Sequence, residues 1–465
     1  MRGIISAAAY LPHRRLDRTT IAAVAGTGGG PGTRTVASYD EDATTMGVEA
    51  ARLAMAPVAT RPRALWFSTV SPPYVDKTNA TAIHAALHLP HDVLAADLGG
   101  AVRSAVAALR VALDGTQPAL VVAADVRTGL PGSADESAGG DAAAALMIGD
   151  DSDGDVLAEH LGAGTATREF TDRWRTPGDV RSKQWEDRLS ETYYGPLVDK
   201  AFADAVAAAG LTADAVAKVV ISGMHARSCR SAARSLGPNV AADDLTRTVG
   251  NPGAAQPAML LTAALEAAEP GQVIALVVLA DGADVLLFRT TEAIAAYEAV
   301  RPVAAQVAQG APVTYGRFLT WRGMLTPEPP RRPEPARVSS SAAARNLDWK
   351  FGLIGSRDRG SGAVQIPPAR VSMSGGAIDD MEPIPLADAT GTIAAFTVDR
   401  MAWSPSPPVI FAMVDLDRGG RFPVELTDVD VDEVAVGGRV EMTFRRLSTA
   451  DGIHNYFWKA RPVRG

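Results

Sequence analysis

Cysteine is almost missing. Cys229 is the single thiol in 465 residues, so no intrachain disulfide can form, and this points to a reducing, cytoplasmic setting. Uninterrupted apolar runs are missing too. No stretch reaches the ~20 residues needed to span a bilayer as a helix. The opening MRGIISAAAYLPHRR reads as a first β-strand, because it lacks the basic leader and longer apolar core of a signal peptide. Dense lysine or arginine runs are absent, and the formal net charge is −8. That balance argues against nucleic acid as a partner. It leaves room for a phosphorylated cofactor, which a few local cations suffice to hold.

What is there describes a folded chain. Hydrophobic residues make up 47% and charged ones 21%, the profile of a globular protein. The length exceeds what one core supports, so two or three domains are expected. Strand patterns at residues 4–10, 64–69, 119–124 and 142–148 alternate with helical patterns at 40–55, 78–87 and 101–113. A second series follows, with helices at 200–209, 230–236 and 254–268 and strands at 216–222, 273–279 and 285–288. Such alternation, twice over, means an α/β protein of packed layers in two similar halves. In each half a glycine turn precedes an apolar helix, at Gly99-Gly100 and at residues 250–253. Residues 170–194, charged and aromatic, read as an insertion.

Residues 291–307 and 315–325 are expected to be helical, and 327–341 (PEPPRRPEPARVSSS) is a linker too rich in proline to hold a helix. From residue 346 onward short strands dominate, at 392–398, 409–416, 424–428, 440–444 and 456–459, which suits a small closed barrel. The expected divisions are 1–166 and 167–290 for the two halves, 291–345 for a helical and Pro-rich linker, and 346–465 for the all-β part.

The organising stretch is 95–113 (AADLGGAVRSAVAALRVAL). A strand end, a Gly-Gly turn and a buried helix make an elbow that lifts one side chain to a helix N-terminus, where unpaired N–H groups and the macrodipole favour an anion. It resembles the elbow of 3-hydroxy-3-methylglutaryl-CoA (HMG-CoA) synthases and related ketoacyl synthases of the thiolase superfamily, whose pattern is roughly D-x-x-x-A-C-x-x-G. Residues 40–52 (DEDATTMGVEAAR), 248–257 (TVGNPGAAQP) and 265–272 (LEAAEPGQ) are similar to that family as well, particularly to its archaeal-type members. Residues 321–335 (WRGMLTPEPPRRPEP) and the C-terminal strands resemble the DUF35 family, which joins a rubredoxin-like zinc ribbon to an OB-fold.

The resemblance implies a thiolase-like layered αβαβα fold followed by an OB-fold barrel. It further implies a homodimer formed through the thiolase-like part, a coenzyme A thioester as substrate with no resident cofactor, and a thiolase as a candidate partner. The departures fall on the chemistry. Asp97 and Ala101 match the elbow pattern, but the nucleophile position is Val102, and valine cannot carry a thioester. The family's general acid/base Glu falls at Val70, its His at Ser222 and its Asn at His225, whereas Asn251 stands where the family has a functional Asn. The four ribbon cysteines fall at Asp358, Ser361, Ser372 and Gly375, flanking Pro367-Pro368, so no zinc ligands are expected.

Asn251 is either a donor to a thioester oxygen or a turn residue of a Gly- and Pro-rich loop. His225 is either a base or donor in the cleft or a core-filling cap. Arg103, beside Val102, either takes an anion or pairs structurally with Asp97 or Asp141. Tyr74 and Lys77 either line an acyl channel or pack a proline turn. Asp135, Glu136 and Asp141 are acid/base candidates or loop charges, and Cys229 is a packing residue inside a helix. The expected site is therefore Asn251 and His225 for chemistry, with Tyr74, Val102, Arg103 and Asp141 for substrate. Without a thiol, the reaction that suits this set is aldol or retro-aldol chemistry on a β-hydroxyacyl-CoA. The alternatives are a non-catalytic acyl-CoA-binding scaffold and direct acyl transfer to a small acceptor.

Overall fold

Alanine and glycine let the central strands be covered closely on both faces. The computed structural model describes residues 1–185, 187–237, 241–376 and 378–464, so Glu186, within the charged stretch 170–194, lies outside the described residues. Two units divide the chain. The first comprises Met1–Ala37, Asp42–Thr81 and His91–Tyr315, and the second Ser38–Glu41, Ala82–Pro90 and Gly316–Gly465.

Nine strands form the main sheet of the first unit: β1 (Arg2–Tyr10), β2 (Ala64–Ser68), β3 (Leu94–Asp97), β4 (Ala119–Asp125), β5 (Ala142–Asp150), β6 (Ala158–Thr167), β7 (Val216–Gly223), β8 (Val273–Leu279) and β9 (Gly282–Thr290). From the middle outward the order is β1-β5-β4-β2-β3 on one side and β6-β9-β8-β7 on the other. Each half thus starts at the centre, reaches the rim with a middle strand, and folds its last strand back beside its first. The halves meet where Gly3 pairs with Glu159 and Ile4 with Ala158. This is the duplicated α/β plan expected from the alternation.

Helix α1 (Ala43–Met55) packs on β1, β4 and β5, α2 (Arg103–Asp114) on β2 and β4, and α3 (Asp187–Ala208) on β6 and β9. Helix α4 (Ala226–Leu236) packs on α3 and β7, and α5 (Gln256–Glu266) on β1, β5 and β7.

Several expectations are corrected. β6 (AEHLGAGTAT) escapes a periodicity reading because it lacks a run of large apolar residues. Helix α1 begins at Ala43 rather than 40. Asp42 caps it, accepting from the Thr45 N–H at 2.9 Å while its own N–H donates to Thr45 Oγ1 at 2.8 Å. The stretch 170–194 is a hairpin of Arg173–Trp174 with Lys183–Gln184, followed by the opening of α3, which continues through Pro196. Residues 291–307 form a 3₁₀ turn (Glu292–Ala296) and a short helix (Val303–Ala308), separated at Pro302. Two short helices, Ser340–Arg345 and Leu347–Gly352, stand where linker and strands were expected.

In the second unit β10 (Thr390–Asp399), β11 (Val409–Leu416), β12 (Arg421–Leu426), β13 (Arg439–Ala450) and β14 (Ile453–Pro462) close a barrel in the order β10-β11-β12-β14-β13. Phe444 and Trp458 meet edge-on at 5.5 Å in its interior. Alongside this apolar packing lies a buried charge network. Arg445, with 0% side-chain exposure, pairs with Glu41 Oε1 at 2.5 Å and Asp428 Oδ2 at 2.7 Å. Lys459 pairs with Asp40 Oδ2 at 3.1 Å and Glu425 Oε2 at 2.7 Å. Desolvation opposes ionisation of Asp40, but Lys459 and Arg445 outweigh it and hold the carboxyl well below the usual carboxylate range. Asp40 and Glu41, expected to open a helix, serve instead as anions of the second unit.

The four positions aligned with ribbon cysteines converge on one carboxylate. Asp358, 1% exposed, accepts from the Gly360 N–H at 2.9 Å and from Ser361 Oγ at 2.6 Å. The Ser372 hydroxyl also donates to it, and a methyl at Gly375 would lie 3.3 Å from its Oδ2. One carboxylate and two hydroxyls do not fit a tetrathiolate zinc centre. Among the described residues no cluster of three or more His, Cys, Asp or Glu could hold a metal.

Two outcomes follow. Arg445→Met strands Glu41 and Asp428 and costs about 3–5 kcal/mol, whereas the triple variant Arg445→Met/Glu41→Leu/Asp428→Leu recovers most of that loss in thermal unfolding of the full chain. Hydrogen bonds from Ser361 and Ser372 lower the Asp358 pKa to about 2. A depressed carboxyl contributes stability above its unfolded pKa of about 4 that is lost as pH falls through the folded value. Asp358→Asn therefore flattens acid denaturation between about pH 4 and 2, read by circular dichroism.

Candidate functional site

The elbow is built as its sequence implies, two residues late. β3 ends at Asp97, whose carboxylate accepts from the N–H groups of Asn79 and Ala80, each at 2.7 Å. Gly100 makes the turn with φ +100°, a conformation that needs glycine. Val102 follows as the N-cap of α2, 7% exposed, with no side-chain cap. The elbow runs along the end of β2: Leu98 N–H donates to Phe67 O at 2.7 Å, and Ser68 Oγ to Leu98 O at 2.9 Å. Ala105 in the first turn of α2 packs with Ala123 and Ala254, which sets the elbow against the Gly-Asn-Pro-Gly loop.

A buried carboxylate ties that loop to the turn bearing Val70. Asp125, 0% exposed, accepts from Thr69 Oγ1 and Val70 N–H at 2.8 Å each and from Ser71 Oγ at 3.1 Å through Oδ1. Its Oδ2 accepts from Ala254 N–H at 2.7 Å. Burial raises the Asp125 pKa, while Arg127 and the backbone donors act against the shift.

Asn251 and the residues before His225 lie together. Asn251 Nδ2 donates to Gly223 O at 2.8 Å, and its Oδ1 accepts from Gly253 N–H at 2.9 Å. His225, 4% exposed, caps α4: its Nδ1 accepts from the Ser228 N–H at 3.2 Å and lies 2.7 Å from Ser228 Oγ. A backbone N–H on Nδ1 leaves the proton of the neutral ring on Nε2, which makes His225 a donor rather than a base there. Its ring stacks on Tyr194 with centroids 6.5 Å apart, and the Tyr194 hydroxyl donates to Asp172 at 3.1 Å. Ser222, at the family's His position, donates to Gln256 Oε1 at 2.8 Å.

Other candidates go elsewhere. Arg103 donates to Asp284 Oδ2, Asp281 O and Thr167 Oγ1, each at 2.8 Å. Its partner is Asp284, neither Asp97 nor Asp141, and its guanidinium serves the structure. Asp141 is fully buried, accepting from Arg127 N–H and Ala37 N–H at 2.7 Å and pairing with Arg34 at 3.3 Å. Both oxygens are committed, so Asp141 leaves the substrate set. Asp135 is held by Arg173 in a bidentate pair at 2.6 and 2.7 Å. Glu136 accepts from Gly132 N–H at 2.7 Å and the Tyr315 hydroxyl at 3.0 Å, with burial raising its pKa. Tyr74 is pinned through its backbone by Asn79, and Lys77 Nζ lies 6.0 Å from its ring centroid. Burial pushes the Cys229 thiol up to about 12, as suits a packing residue.

Comparison with known proteins agrees with this architecture. A family model described as the ChsH2 C-terminal OB-fold domain matches residues 384–445. The hydroxymethylglutaryl-CoA synthase of Thermococcus sibiricus is 35% identical over 182 residues, 37% of this chain, and the chain spans about half (52%) of that relative's length. The hydroxymethylglutaryl-CoA synthase of Methanopyrus kandleri is 29% identical over 348 residues, 70% of this chain and 97% of that protein. The chain is thus similar in sequence to hydroxymethylglutaryl-CoA synthases, and residues 384–445 match an OB-fold domain. The solved structure of PksG, an HMG-CoA synthase from Bacillus subtilis, superposes with a TM-score of 0.61 at 17% identity, covering 70% of this chain and 89% of that one. Among the described residues no helix is long and apolar enough to cross a membrane.

Asp125, Arg127, Tyr194 and Asp172 were missed by motif reading. A usable signal existed for the first two: a wholly apolar strand, ALVVAA, runs straight into Asp-Val-Arg. Arg103→Met tests the structural assignment. It lowers the melting temperature, because a half-broken, largely buried pair costs about 1–3 kcal/mol, and leaves coenzyme A affinity unchanged in calorimetric titration.

Proposed function

We propose that the first unit binds an acyl-CoA thioester and makes or breaks a carbon–carbon bond on a β-hydroxyacyl-CoA without a covalent acyl-enzyme. The observation that carries this reading is Val102 capping α2 at the elbow, where an HMG-CoA-synthase-like chain would hold its cysteine. Cys229, its thiol pushed up by burial, is no substitute. Similarity to hydroxymethylglutaryl-CoA synthases supports the thioester as substrate class.

In the retro-aldol direction the β-hydroxyl gives its proton to solvent water as the Cα–Cβ bond breaks, and the same solvent supplies the proton that Cα gains. The electron pair moves onto the thioester as an enolate, and a proton at Cα completes the products: a shorter acyl-CoA and an aldehyde or ketone. The step needs donors on the oxygen where charge develops, and no nucleophile. Asn251 Nδ2 retains its second hydrogen beyond the bond to Gly223, and His225 carries its proton on Nε2. These two are the proposed donor pair, and the unit is proposed to work as a homodimer.

A second reading, acyl-CoA binding without turnover in support of a thiolase, is favoured by one observation: Asn251 engages both ends of its amide within the protein. One experiment separates them. The full chain is incubated with a panel of β-hydroxyacyl-CoA esters and assayed for shorter acyl-CoA and carbonyl product, alone and with a thiolase. Turnover by the chain alone, undiminished in Cys229→Ser and with no acyl adduct in intact-mass spectra, is the expected result. Binding without release at any chain length sinks the lyase reading, and an adduct on the polypeptide sinks both.

A further inference from the structure

The charged stretch 170–194 touches the candidate site at three places. At its base Asp172 accepts from the Tyr194 hydroxyl at 3.1 Å and from Ser190 Oγ, and the Tyr194 ring stacks on His225. Its first strand is clamped by the bidentate pair of Arg173 with Asp135. Just past that strand, Arg175 Nη2 donates to Val70 O. The hairpin of Arg173–Trp174 with Lys183–Gln184 therefore runs from the surroundings of His225 to the Val70 turn.

That turn is a wall of the site. A methyl group on Gly99, in the elbow, would lie 3.4 Å from Thr69 O. The N–H groups of Val70 and Ala254 meet on the two oxygens of Asp125, and the Gly253 N–H beside Ala254 donates to Asn251 Oδ1. Arg175 is thus bound to one of the segments that Asp125 joins, and Asn251 belongs to the other.

The guanidiniums gathered here differ in what they have left to donate. Arg173 is held by both oxygens of Asp135. Arg127 is buried, with Asp125 and Asp135 attracting it and Arg173 and Arg175 opposing it. Arg175 is exposed and binds one neutral carbonyl. A guanidinium has five N–H donors and keeps its proton. Arg175 therefore has donors over, and no carboxylate among the described residues pairs with it.

The retro-aldol step has a matching need. Asn251 and His225 are proposed to serve the thioester oxygen, which leaves the oxygen on Cβ unserved. That oxygen gives its proton to water while its electron pair forms the new carbonyl, so negative charge builds on it as the Cα–Cβ bond breaks. A fixed cation beside it stabilises that charge without itself gaining or losing a proton.

We infer that Arg175 is a catalytic residue of this reaction, its guanidinium contacting the β-oxygen of the β-hydroxyacyl-CoA and stabilising the alkoxide that develops there. The inference rests on the lyase reading and adds a residue to it.

The test is steady-state turnover by the full chain and by Arg175→Ala on β-hydroxyacyl-CoA esters from butyryl to decanoyl. Each is assayed with and without guanidinium chloride below the concentrations that unfold the chain. Removing one transition-state donor predicts a loss of about a hundredfold in kcat with KM nearly unchanged. Free guanidinium restores part of that rate, and Arg175→Lys falls between the two proteins. Arg181→Gln, which removes an exposed cation from the same hairpin, leaves the kinetics unaltered. Equal kcat in Arg175→Ala and the unaltered chain overturns the inference and spares the lyase reading. So does a raised KM at constant kcat, which would make Arg175 a binding residue only. A loss that guanidinium does not relieve assigns Arg175 to docking the hairpin and overturns the inference too. No turnover by the unaltered chain removes the lyase reading and the inference together. Should Arg175→Ala not fold, Arg175→Gln, which keeps a donor for Val70 O, carries the same comparison.

Discussion

The Asp125 carboxylate is the interaction on which the site depends. It sits at the end of a fully buried strand and collects donors from two separate segments, the turn at residues 69–71 and the start of the 3₁₀ turn Gly253–Ala255. A buried anion in that position is tolerable only if those donors stay aimed at it. The requirement works in both directions: the carboxylate fixes the turn and the loop, and the turn and the loop keep the carboxylate ionisable. Val70, Asn251 and the elbow take their places from that arrangement, whatever chemistry they support.

Placed beside Asp125, the other charged groups of the first unit fall into two kinds. Asp141 with Arg34, Arg103 with Asp284, and Asp135 with Arg173 are closed circuits, each charge facing its opposite at hydrogen-bond distance. Arg127 is of the other kind, drawn to Asp125 and Asp135 and opposed by Arg173 and Arg175 without a single dedicated counter-ion. The Asp358 cluster in the second unit satisfies a buried carboxylate through hydrogen bonds rather than through an opposite charge. Two hydroxyls and a backbone N–H ring that carboxylate, each a charge-assisted hydrogen bond.

The α/β alternation in two halves and the strands of the barrel were legible because they rest on apolar periodicity, which is a local signal, whereas the αβαβα layer order came from the resemblance. β6 was not, because a strand of Ala, Gly and Thr owes its place to its neighbours in the sheet rather than to its own pattern. The elbow was legible from Asp97, Gly99-Gly100 and the helix after them. The partners of Arg103 and Asp141 were not, since Asp284 lies 181 residues from Arg103 and Ala37 lies 104 from Asp141, and only the folded topology joins them. His225 was legible as a candidate, but its tautomer depends on Ser228 N–H, a fact of helix capping rather than of residue type. The charged stretch 170–194 runs into α3, and packing on β6 and β9 carries that helix on through Pro196.

Ser38–Glu41 belongs to the second unit although some 275 residues of chain separate it from Gly316. Asp40 and Glu41 supply two of the anions that Lys459 and Arg445 require, so the barrel is not encoded by one contiguous segment. Cutting the gene at the proline-rich stretch would yield a C-terminal fragment with two sequestered cations short of their counter-ions. Grafting in a barrel from another lineage would succeed only if its buried cations suited the Asp-Glu pair already waiting near the amino end. The two parts of this polypeptide are therefore bound to change together, which constrains recombination more tightly than a flexible tether would.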